Sequence, residues 1–356
     1  MDKSKNESGG DWPVLTVVVI GRNEGARLSQ CLQSVVAMDL PGGCVETIYV
    51  DSASTDDSVE RARRFGVRVI EIHPERPCAA VGRNAGWRAA RSAIVLFLDG
   101  DTVLVPDFVR EALGQFHKAR VAVVFGSRRE LNANDSIYNR VLDLDWITPP
   151  GEVEFCGGDA LIRREVLQRV GGYDERLIAA EDTELCARIR ALGYKILCLE
   201  RRMVSHDLAI KRFSQYWWRA VRTGYAYGEV SDRFKPSDSP VWYRQARRNL
   251  LQGAMISTLM VSSLVIACVS WSVTPLVAAI AIIAALSVRT AIRTRWKQAD
   301  PITRLVHGVH SHLVQIPIFV GQLKYRADRL LGRNARLIEY KDKTEPDRSS
   351  ADSVLL

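Results

Sequence analysis

Residues 93–101 carry the sequence AIVLFLDGD, and this stretch decides how the rest of the chain is interpreted. Its first six residues are continuously apolar, which is typical of a β-strand buried on both faces of a sheet. The strand ends in two carboxylates, Asp99 and Asp101, with only Gly100 between them. Two carboxylates placed in this way can converge on a hard divalent cation such as Mg²⁺ or Mn²⁺. The pattern alone is weak, because aspartates also form turns at strand ends.

Apolar runs alternate with helical patterns on the amino-terminal side of this strand. Strands are predicted at residues 14–20, 45–50 and 67–72, and helices at 24–36, 57–65 and 78–91. This alternation predicts a parallel sheet with helices on both faces, and ligands of such sheets bind beyond the carboxyl ends of the strands. Polar residues fall at that edge of the sheet: Asn23, Glu24, Asp51, Arg83, Asn84, Asp99 and Asp101.

The region after the aspartates continues the alternation less regularly. Helices are predicted at 106–118, 163–170 and 181–192, and strands at 121–125 and 195–199. Residues 128–155 show no clear pattern. His206 follows the last predicted strand, where it could reach a cation or a diphosphate, or could simply be a partly exposed loop residue.

The last third of the chain changes character, because no charged residue lies between Arg248 and Arg289. Two helices of about 20 residues could each span a hydrocarbon core. Basic residues flank both ends of the stretch, which predicts a hairpin with both ends in the cytoplasm. The alternative is a buried helical hairpin of a soluble protein. The membrane hairpin is favoured because apolar residues occupy all sides of each helix.

A third uncharged segment covers residues 305–323. A full span here would place the basic residues that follow it outside, against the positive-inside trend, so a re-entrant or interfacial segment is predicted. Three histidines in this segment, His307, His310 and His312, resemble a metal site by composition. Because the segment lacks a carboxylate companion, we expect helix packing or headgroup contact instead.

Composition narrows the class of protein. The chain has 356 residues, of which 47% are hydrophobic and 25% charged, and its net charge of +8 suggests an anionic partner. Seven scattered cysteines form no CxxC pair, so neither a disulfide scaffold nor a zinc ribbon is expected. No signal peptide is predicted at the amino terminus. The first strand is not followed by GxGxxG, which excludes a dinucleotide-binding dehydrogenase, and no nucleic-acid motif is present.

Four segments together resemble the inverting GT-A glycosyltransferases of family 2, over roughly residues 13–206. Residues 20–24 (IGRNE) are similar to the family's opening strand and loop, although Gly21 and Arg22 stand where the family usually has Pro and Tyr. The other segments are VDSASTD at 50–56, RNAG at 83–86 and the DGD of Asp99 to Asp101. The resemblance implies a mixed, Rossmann-like sheet and a nucleotide-diphosphate sugar donor, UDP- or GDP-linked.

Roles on the donor side follow from the same resemblance. Asp51 would contact the base, Asp99 the ribose side, and Asp99 with Asp101 a Mg²⁺ or Mn²⁺ ion on the diphosphate. Arg83 could meet a phosphate, and otherwise is a surface helix residue. His206 is the further candidate ligand of the cation.

The acceptor half also resembles the family. Residues 155–159 (FCGGD) are similar to its acceptor-side loop, which includes Gly157, Gly158 and Asp159. Residues 181–185 (EDTEL) are similar to the segment that supplies the catalytic base, with Asp182 as the first candidate and Glu181 as the alternate. The alternative role of both acids is to begin a helix, where negative charge suits the helix dipole.

Residues 213–230 combine aromatic and basic side chains. Processive family members carry QxxRW, whereas this chain has Gln215 followed by Trp218 and Arg219 at a different spacing. Transfer of a single sugar is therefore the expected reaction, and these three residues are candidate acceptor contacts. The segment is also predicted to be an interfacial helix at the headgroups of an anionic leaflet.

The predicted organisation has six parts: 1–12 disordered, 13–210 a GT-A catalytic domain, 211–248 interfacial helices, 249–292 two transmembrane helices, 293–340 a re-entrant or interfacial segment with a basic region, and 341–356 a disordered tail. The predicted function is transfer of one sugar to a lipid-linked acceptor at the cytoplasmic face of the inner membrane, in exopolysaccharide or glycolipid synthesis. The alternatives are a polyprenyl-phosphate sugar transferase and a catalytically silent GT-A scaffold of a membrane assembly.

Overall fold

The computed structural model describes residues 13–40, 43–234 and 241–333. The described chain forms an α/β domain as far as His206 and a set of long helices after it. The predicted disordered ends, 1–12 and 341–356, lie outside the described residues.

A mixed sheet forms the centre of the α/β domain. Its strands are β1 Leu15–Gly21, β2 Val45–Ser52, β3 Arg68–Ile72, β4 Ile94–Asp99, β5 Thr102–Leu104, β6 Val121–Glu130, β7 Gly151–Val153, β8 Ala160–Arg163 and β9 Lys195–His206. They are arranged in the order β3-β2-β1-β4-β8-β6-β9-β5, and β7 pairs with β9. The prediction of a mixed, Rossmann-like sheet is confirmed.

Register explains why polar residues gather at one edge of this sheet. Strands β3, β2, β1 and β4 are parallel, and Gly21 of β1 stands opposite Asp51, while Ile20 stands opposite Asp99. Strand β8 then inserts antiparallel between β4 and β6. The first four strands therefore end side by side, whereas β8 begins at that edge and runs away from it, so that Asp159, the residue before β8, lies beside Asp99.

Helices cover the sheet and bury its apolar strands. They are α1 Ala26–Val36, α2 Ser58–Arg64, α3 Ala79–Ala89, α4 Phe108–Gln115, α5 Ile137–Asp145, α6 Arg164–Val170 and α7 Glu181–Ala191. The continuously apolar strands β1 and β4 are buried along their length, as their sequences predict. Helix α5 lies inside the segment whose pattern was too irregular to predict, and Ser136 caps it by accepting a hydrogen bond from the Asn139 amide.

The remaining helices are α8 Phe213–Phe234, α9 Tyr243–Ser270, α10 Thr274–Arg293, α11 Pro301–Leu313 and α12 Gln315–Leu330. Helices α9 and α10 are long and apolar enough to cross a membrane, and only 17% and 11% of their apolar windows are buried. A core hairpin of a soluble protein would be mostly buried, so these helices are candidate membrane spans. Helix α9 begins at Tyr243, so the predicted boundary at residue 248 falls inside one continuous helix.

The segment predicted as one re-entrant or interfacial element consists of two helices, α11 and α12, that meet at Val314. Helix α12 packs on α8 with two glycines at the contact. A Cβ on Gly224 would strike the backbone of Ile318, and one on Gly321 would strike the carbonyl of Val221. The two backbones can approach this closely only because both positions lack a side chain.

The histidines of α11 have a carboxylate partner, contrary to the expectation from sequence. Asp145, the last residue of α5, accepts hydrogen bonds from Nε2 of His307 on Oδ1 and from Nε2 of His310 on Oδ2, each at 3.0 Å. The other ring nitrogen of His310 lies 2.7 Å from the Tyr216 hydroxyl. We call Asp145, His307 and His310 the histidine clasp. It joins α5 of the α/β domain to the helices that follow the candidate spans.

Candidate active site

Three candidate metal ligands meet at the carboxyl edge of the sheet. Asp99 ends β4, Asp101 follows it, and β9 places His206 beside them by pairing His206 with Thr102 of β5. The His206 Nε2 atom lies 3.2 Å from Oδ1 of Asp101. One ligand atom from each of the three side chains lies within 4.8 Å of the others. Two carboxylates and an imidazole at this spacing suit a divalent cation, so the residues present fit the expected metal.

Arg83 connects this cluster to the start of α7. Its guanidinium donates to Oδ1 of Asp99 at 2.7 Å and to Oε1 of Glu181 at 2.5 Å. Arg83 is 2% exposed, so it is a buried bridge between carboxylates and not a surface helix residue. Although burial raises the pKa of Asp99, Arg83 and Arg128 lower it more, and the net pKa lies below the usual value. The prediction that Arg83 contacts a phosphate stays a prediction.

A second arginine, which sequence reasoning missed, balances the charge from the other side. Arg128 donates to Oδ2 of Asp159 at 2.5 Å, and Oδ1 of Asp159 accepts from the Asp99 amide at 3.0 Å. Burial raises the pKa of Asp159 to about 6, against the charge of Arg128. Arg128 follows the apolar part of β6, so the strand-end rule that identified Asp51 and Asp99 could have identified it as well.

The two glycines of the predicted acceptor loop lie directly against these side chains. A Cβ on Gly158 would clash with the Arg83 guanidinium and lie 3.1 Å from Oδ2 of Asp99, and one on Gly157 would lie 3.4 Å from Arg128. Glycine at 158 therefore lets the loop backbone approach the ion pair beneath it. The loop brings Asp159 to the amide of Asp99.

Asp51 lies at the carboxyl ends of β1 and β2, opposite Gly21. It is 2% exposed, and its carboxylate accepts from the Tyr49 hydroxyl at 2.9 Å and from the Ser54 amide and hydroxyl at 2.8 and 2.5 Å. Asn23, in the left-handed region at φ 58°, accepts from the Thr55 amide at 2.7 Å and donates its own amide to Ser54. The loops after β1 and β2 are thus fastened together around the carboxylate that is predicted to contact the base.

Glu24 and Asn84 have well-defined partners near this edge. The Glu24 amide donates to the Ser58 hydroxyl at 3.1 Å, and its carboxylate pairs with Arg27 at 2.9 Å. Asn84 is 1% exposed and uses its side chain to hold the backbone of Tyr173, with contacts to Trp87 and Glu175. Asn84 therefore supports the loop before α7, and its predicted contact with the donor stays a prediction.

The start of α7 places two acids, Glu181 and Asp182, beside Arg83 and Asp99, and we call the site that these residues form with Asp101 and His206 the cleft. The two acids have different surroundings. Ala180, at φ 63°, turns the chain so that the helix begins at Glu181. Glu181 is bound to Arg83, whereas Asp182 accepts from the Thr183 amide at 2.7 Å and forms no ion pair with any described cation. Burial and the charge of Glu181 raise the pKa of Asp182 to about 7. A carboxylate with a pKa near neutrality is well suited to accept a proton at physiological pH.

The candidate acceptor contacts on α8 are not part of this network. Oε1 of Gln215 accepts from the amides of Lys211 and Arg212, each at 2.9 Å, and so caps the helix. Trp218 is 46% exposed, and the Arg219 carbonyl accepts from the Thr223 hydroxyl within the helix. The structure therefore gives Gln215 a capping role, while acceptor contact by these residues stays a prediction.

Trp146 is a further residue at the cleft that sequence reasoning did not select. Its ring lies edge-on to His206 with centroids 5.1 Å apart, and the Arg128 guanidinium lies 5.4 Å from its centre. The residue before it, Asp145, belongs to the histidine clasp. Trp146 therefore connects the cleft with the end of α5, which the histidine clasp joins to α11.

Comparisons with known proteins agree with this geometry. A family model described as Glycosyl transferase family 2 matches residues 16–171, and one described as Glycosyl transferase family group 2 matches residues 94–292. The probable glycosyltransferase YdaM of Bacillus subtilis is 24% identical over 241 residues, which are 61% of this chain and 56% of that protein. A beta-monoglucosyldiacylglycerol synthase of Nostoc is 23% identical over 215 residues, 55% of this chain and 45% of that protein. The chain thus spans about half the length of these curated relatives.

A solved structure shows the same fold. The mannosyltransferase PcManGT from Pyrobaculum calidifontis, in complex with GDP-Man and Mn²⁺, superposes with a TM-score of 0.59 at 19% identity, over 91% of this chain and 90% of that one. The second family model covers more than half of the 356 residues. The chain therefore belongs to glycosyl transferase family group 2, and it is a glycosyltransferase with a GT-A fold.

Proposed function

We propose that the chain is a membrane-associated, inverting glycosyltransferase that moves one sugar from a nucleotide-diphosphate donor to a lipid-linked acceptor. The observation that carries this proposal is the Arg83 bridge. A single buried guanidinium contacts Asp99 of the candidate metal cluster and Glu181, the neighbour of the candidate base. A direct displacement needs one group of residues at the leaving group and another at the nucleophile. The Arg83 bridge holds these two groups in a fixed position relative to each other.

The donor is proposed to be a UDP- or GDP-linked sugar with its base at Asp51. The Tyr49 and Ser54 hydrogen bonds hold this carboxylate in one orientation, so it is ready to accept an N–H from a base. The mannosyltransferase with the same fold holds GDP-Man and Mn²⁺, which supports a nucleotide sugar and a divalent ion here.

Asp99, Asp101 and His206 are proposed to hold Mg²⁺ or Mn²⁺ on the donor diphosphate. Such an ion, when bound, stabilises the negative charge of the departing nucleoside diphosphate. The chain's own contribution is to keep Asp99 ionised and the three ligands close together. Arg83 and Arg128 offset the repulsion between the carboxylates, and the edge of Trp146 holds the His206 ring in place.

Asp182 is proposed to take the proton of the acceptor hydroxyl, with Glu181 as the alternate. Glu181 is committed to Arg83, whereas Asp182 has a pKa of about 7 and can change its protonation state during turnover. One base and one displacement give inversion at the sugar carbon. A general base of this kind contributes about 10²–10⁴-fold to the rate.

A lipid-linked acceptor and a cytoplasmic orientation are proposed from the candidate spans. Helices α9 and α10 would anchor the domain beside a substrate confined to the leaflet, and the arginines at both ends of the hairpin favour the cytoplasmic side. The inner membrane and a role in exopolysaccharide or glycolipid synthesis belong to the same proposal. A polyprenyl phosphate is the alternative acceptor.

A transfer assay tests the proposal. The full chain in detergent is incubated with a panel of UDP- and GDP-sugars, membrane lipid extract and Mn²⁺ or Mg²⁺, and labelled lipid is counted. We expect turnover by the wild type and a loss of about 10²–10⁴-fold in Asp182→Asn. Nucleotide binding without turnover on any extract, or full activity in Asp182→Asn, would refute the assignment.

A further inference from the structure

An aromatic contact joins the acceptor side of the cleft to the beginning of α9. Phe155 precedes the loop with Gly157 and Gly158, and its ring meets Trp242 edge-on with centroids 6.0 Å apart. Trp242 also lies 4.6 Å, centroid to centroid, from Tyr227 of α8. Phe155 is 39% exposed, and the other two rings are half-buried. We call Phe155, Tyr227 and Trp242 the aromatic strip.

The strip is also close to the candidate base. Trp242 packs against a small apolar cluster that contains Leu177, with Ala180 at its margin. Ala180 precedes Asp182 by two residues and sets the start of α7. Trp242 thus contacts Phe155 and packs on the same apolar cluster as Ala180, and the next residue, Tyr243, begins the helix that is a candidate membrane span.

Basic residues continue the strip along α9. Arg244, Arg247 and Arg248 line a cavity of about 660 Å³ together with Tyr243, Leu251 and Gln252. The neighbouring ion pairs use other arginines, Arg233 with Asp174 and Arg329 with Asp232. Among the described residues, no carboxylate forms an ion pair with these three arginines.

Chemistry favours a phosphate as the partner of this cavity. Three exposed guanidiniums within two turns repel one another, and a phosphate would offset that repulsion through paired, charge-assisted hydrogen bonds. The cavity also has an apolar wall at Leu251, in the uncharged part of α9. A ligand with a phosphate and a hydrocarbon chain would therefore match both parts.

We propose that the aromatic strip and the α9 arginines Arg244 and Arg248 bind the phosphate-bearing head of the lipid acceptor and lead it from the bilayer to Asp182. This inference rests on the proposed function and narrows it, because it makes the acceptor a lipid phosphate or diphosphate in preference to a neutral lipid. The rings would cover the first part of the chain or head, and the arginines would hold its phosphate at the leaflet surface.

Binding measurements test the inference without turnover. The full chain in phosphatidylcholine nanodiscs is titrated with a long-chain prenyl phosphate, with the matching prenol and with phosphatidic acid. We expect tighter binding of the prenyl phosphate than of either other lipid. The double variant Arg244→Gln/Arg248→Gln should lose about tenfold or more in prenyl phosphate affinity, and the double lysine variant should recover part of that loss.

The hairpin supplies a matched control. Arg289 and Arg293 have the same four-residue spacing at the other end of the two spans, so Arg289→Gln/Arg293→Gln removes equal charge on the same side. Its affinity for prenyl phosphate should equal that of the wild type. Equal losses in both double variants would show a general attraction to anionic lipid and overturn the inference, as would equal affinity for the prenol or for phosphatidic acid.

Kinetics separate this inference from the proposed function. In the transfer assay, Arg244→Gln/Arg248→Gln and Trp242→Leu should each raise KM for the lipid phosphate about tenfold, a larger change than in kcat. Transfer to lipid with unaltered KM in these variants would refute the inference and leave the proposed function intact. An absence of transfer by the wild type would instead refute the proposed function.

Discussion

The cleft and the histidine clasp are built from the same residue types but differ in geometry. In the cleft, Asp99, Asp101 and His206 bring three ligand atoms within 4.8 Å of one another. In the clasp, His307 and His310 bind different oxygens of Asp145. Among the described residues, only the cleft brings three such ligand atoms together. In the cleft the three ligand atoms face one common point. In the clasp the two histidines surround one carboxylate, and their hydrogen bonds join α11 to α5.

The pKa shifts of the acidic residues are opposite in the two regions. Burial and a neighbouring acid raise the pKa of Asp182 to about 7. The Asp145 side chain stays 44% exposed, so burial opposes its ionisation only in part, and hydrogen bonds from His307 and His310 lower the pKa of Asp145 well below its usual range. An acid that keeps its charge suits a structural tie, and one that titrates near neutrality suits proton transfer. Counting histidines and aspartates in a sequence does not distinguish these cases.

The largest expected difference between the regions is in activity. Asp101→Asn removes a candidate metal ligand, so we expect the transfer rate to fall by about 10²–10³-fold, comparable to losing one main electrostatic contact in other enzymes. Asp145→Asn should keep the rate within a few-fold of the wild type. The check is kcat at saturating donor and Mn²⁺ for both variants. Equal losses would mean that the clasp is part of the catalytic centre.

Metal binding should stabilise the wild type through the cleft alone. At an Mn²⁺ concentration 100 times Kd, mass action adds about 2.7 kcal/mol to the free energy of unfolding. We expect this shift in a thermal melt of wild type and Asp145→Asn, and its loss in His206→Ala. Zinc or manganese stabilisation that disappears in Asp145→Asn would show that the clasp binds metal after all.

Breaking the histidine clasp should lower the free energy of unfolding. Asp145→Asn presents one amide N–H to a buried histidine N–H, so one donor loses its acceptor at a cost of about 1–3 kcal/mol. Thermal melts in detergent should show a lower Tm than in the wild type. Asp135→Asn is the matched control on the loop before α5, because Asp135 is exposed, and its change should stay within about 0.5 kcal/mol. A melt of Asp145→Asn that overlays the control would contradict the structural role.

The smallest expected effect is the pH dependence of the transfer activity. Asp182 must be deprotonated to act as a base, so kcat/KM should rise with pH up to about 7 and fall tenfold per pH unit below it. The folded protein holds this proton more tightly than the unfolded chain, so Asp182 costs stability as pH rises from about 4 to 7. Asp182→Asn should therefore be no less stable than the wild type at pH 8. A flat pH–rate profile would remove Asp182 from the role of base.

Much of the fold was predictable because its first half obeys simple rules. Continuous apolar runs marked β1 and β4, and the strand-end rule pointed to Asp51 and Asp99. Strand β9 was predicted to stop at residue 199, because exposed charges at Glu200, Arg201 and Arg202 interrupt its apolar run. The strand in fact continues to His206, and that extension places the histidine at Asp101.

Other features had no local signal. Strands β5, β7 and β8 have three or four residues each, which is too short for a period to show. The partner of His307 lies 162 residues away in sequence, at the end of a helix that the pattern did not predict. Arg83 was identified as a site residue, but its burial between two carboxylates depends on α7 and β4 meeting, which a strand-by-strand prediction does not contain.

Helix α9 is longer than a hydrocarbon core is thick, so part of it would extend beyond the membrane. At 1.5 Å per residue, 28 residues extend about 42 Å, of which a hydrocarbon core takes about 30 Å. Roughly 12 Å, or about eight residues, would stand above the hydrocarbon, which corresponds to the stretch from Tyr243 to Leu250. Trp242, the residue before this helix, contacts Phe155 beside the cleft. For the proposed lipid acceptor, the reactive group would therefore have to lie close to the headgroup to reach Asp182, and a lipid that carries it far into the cytoplasm would be a poor acceptor.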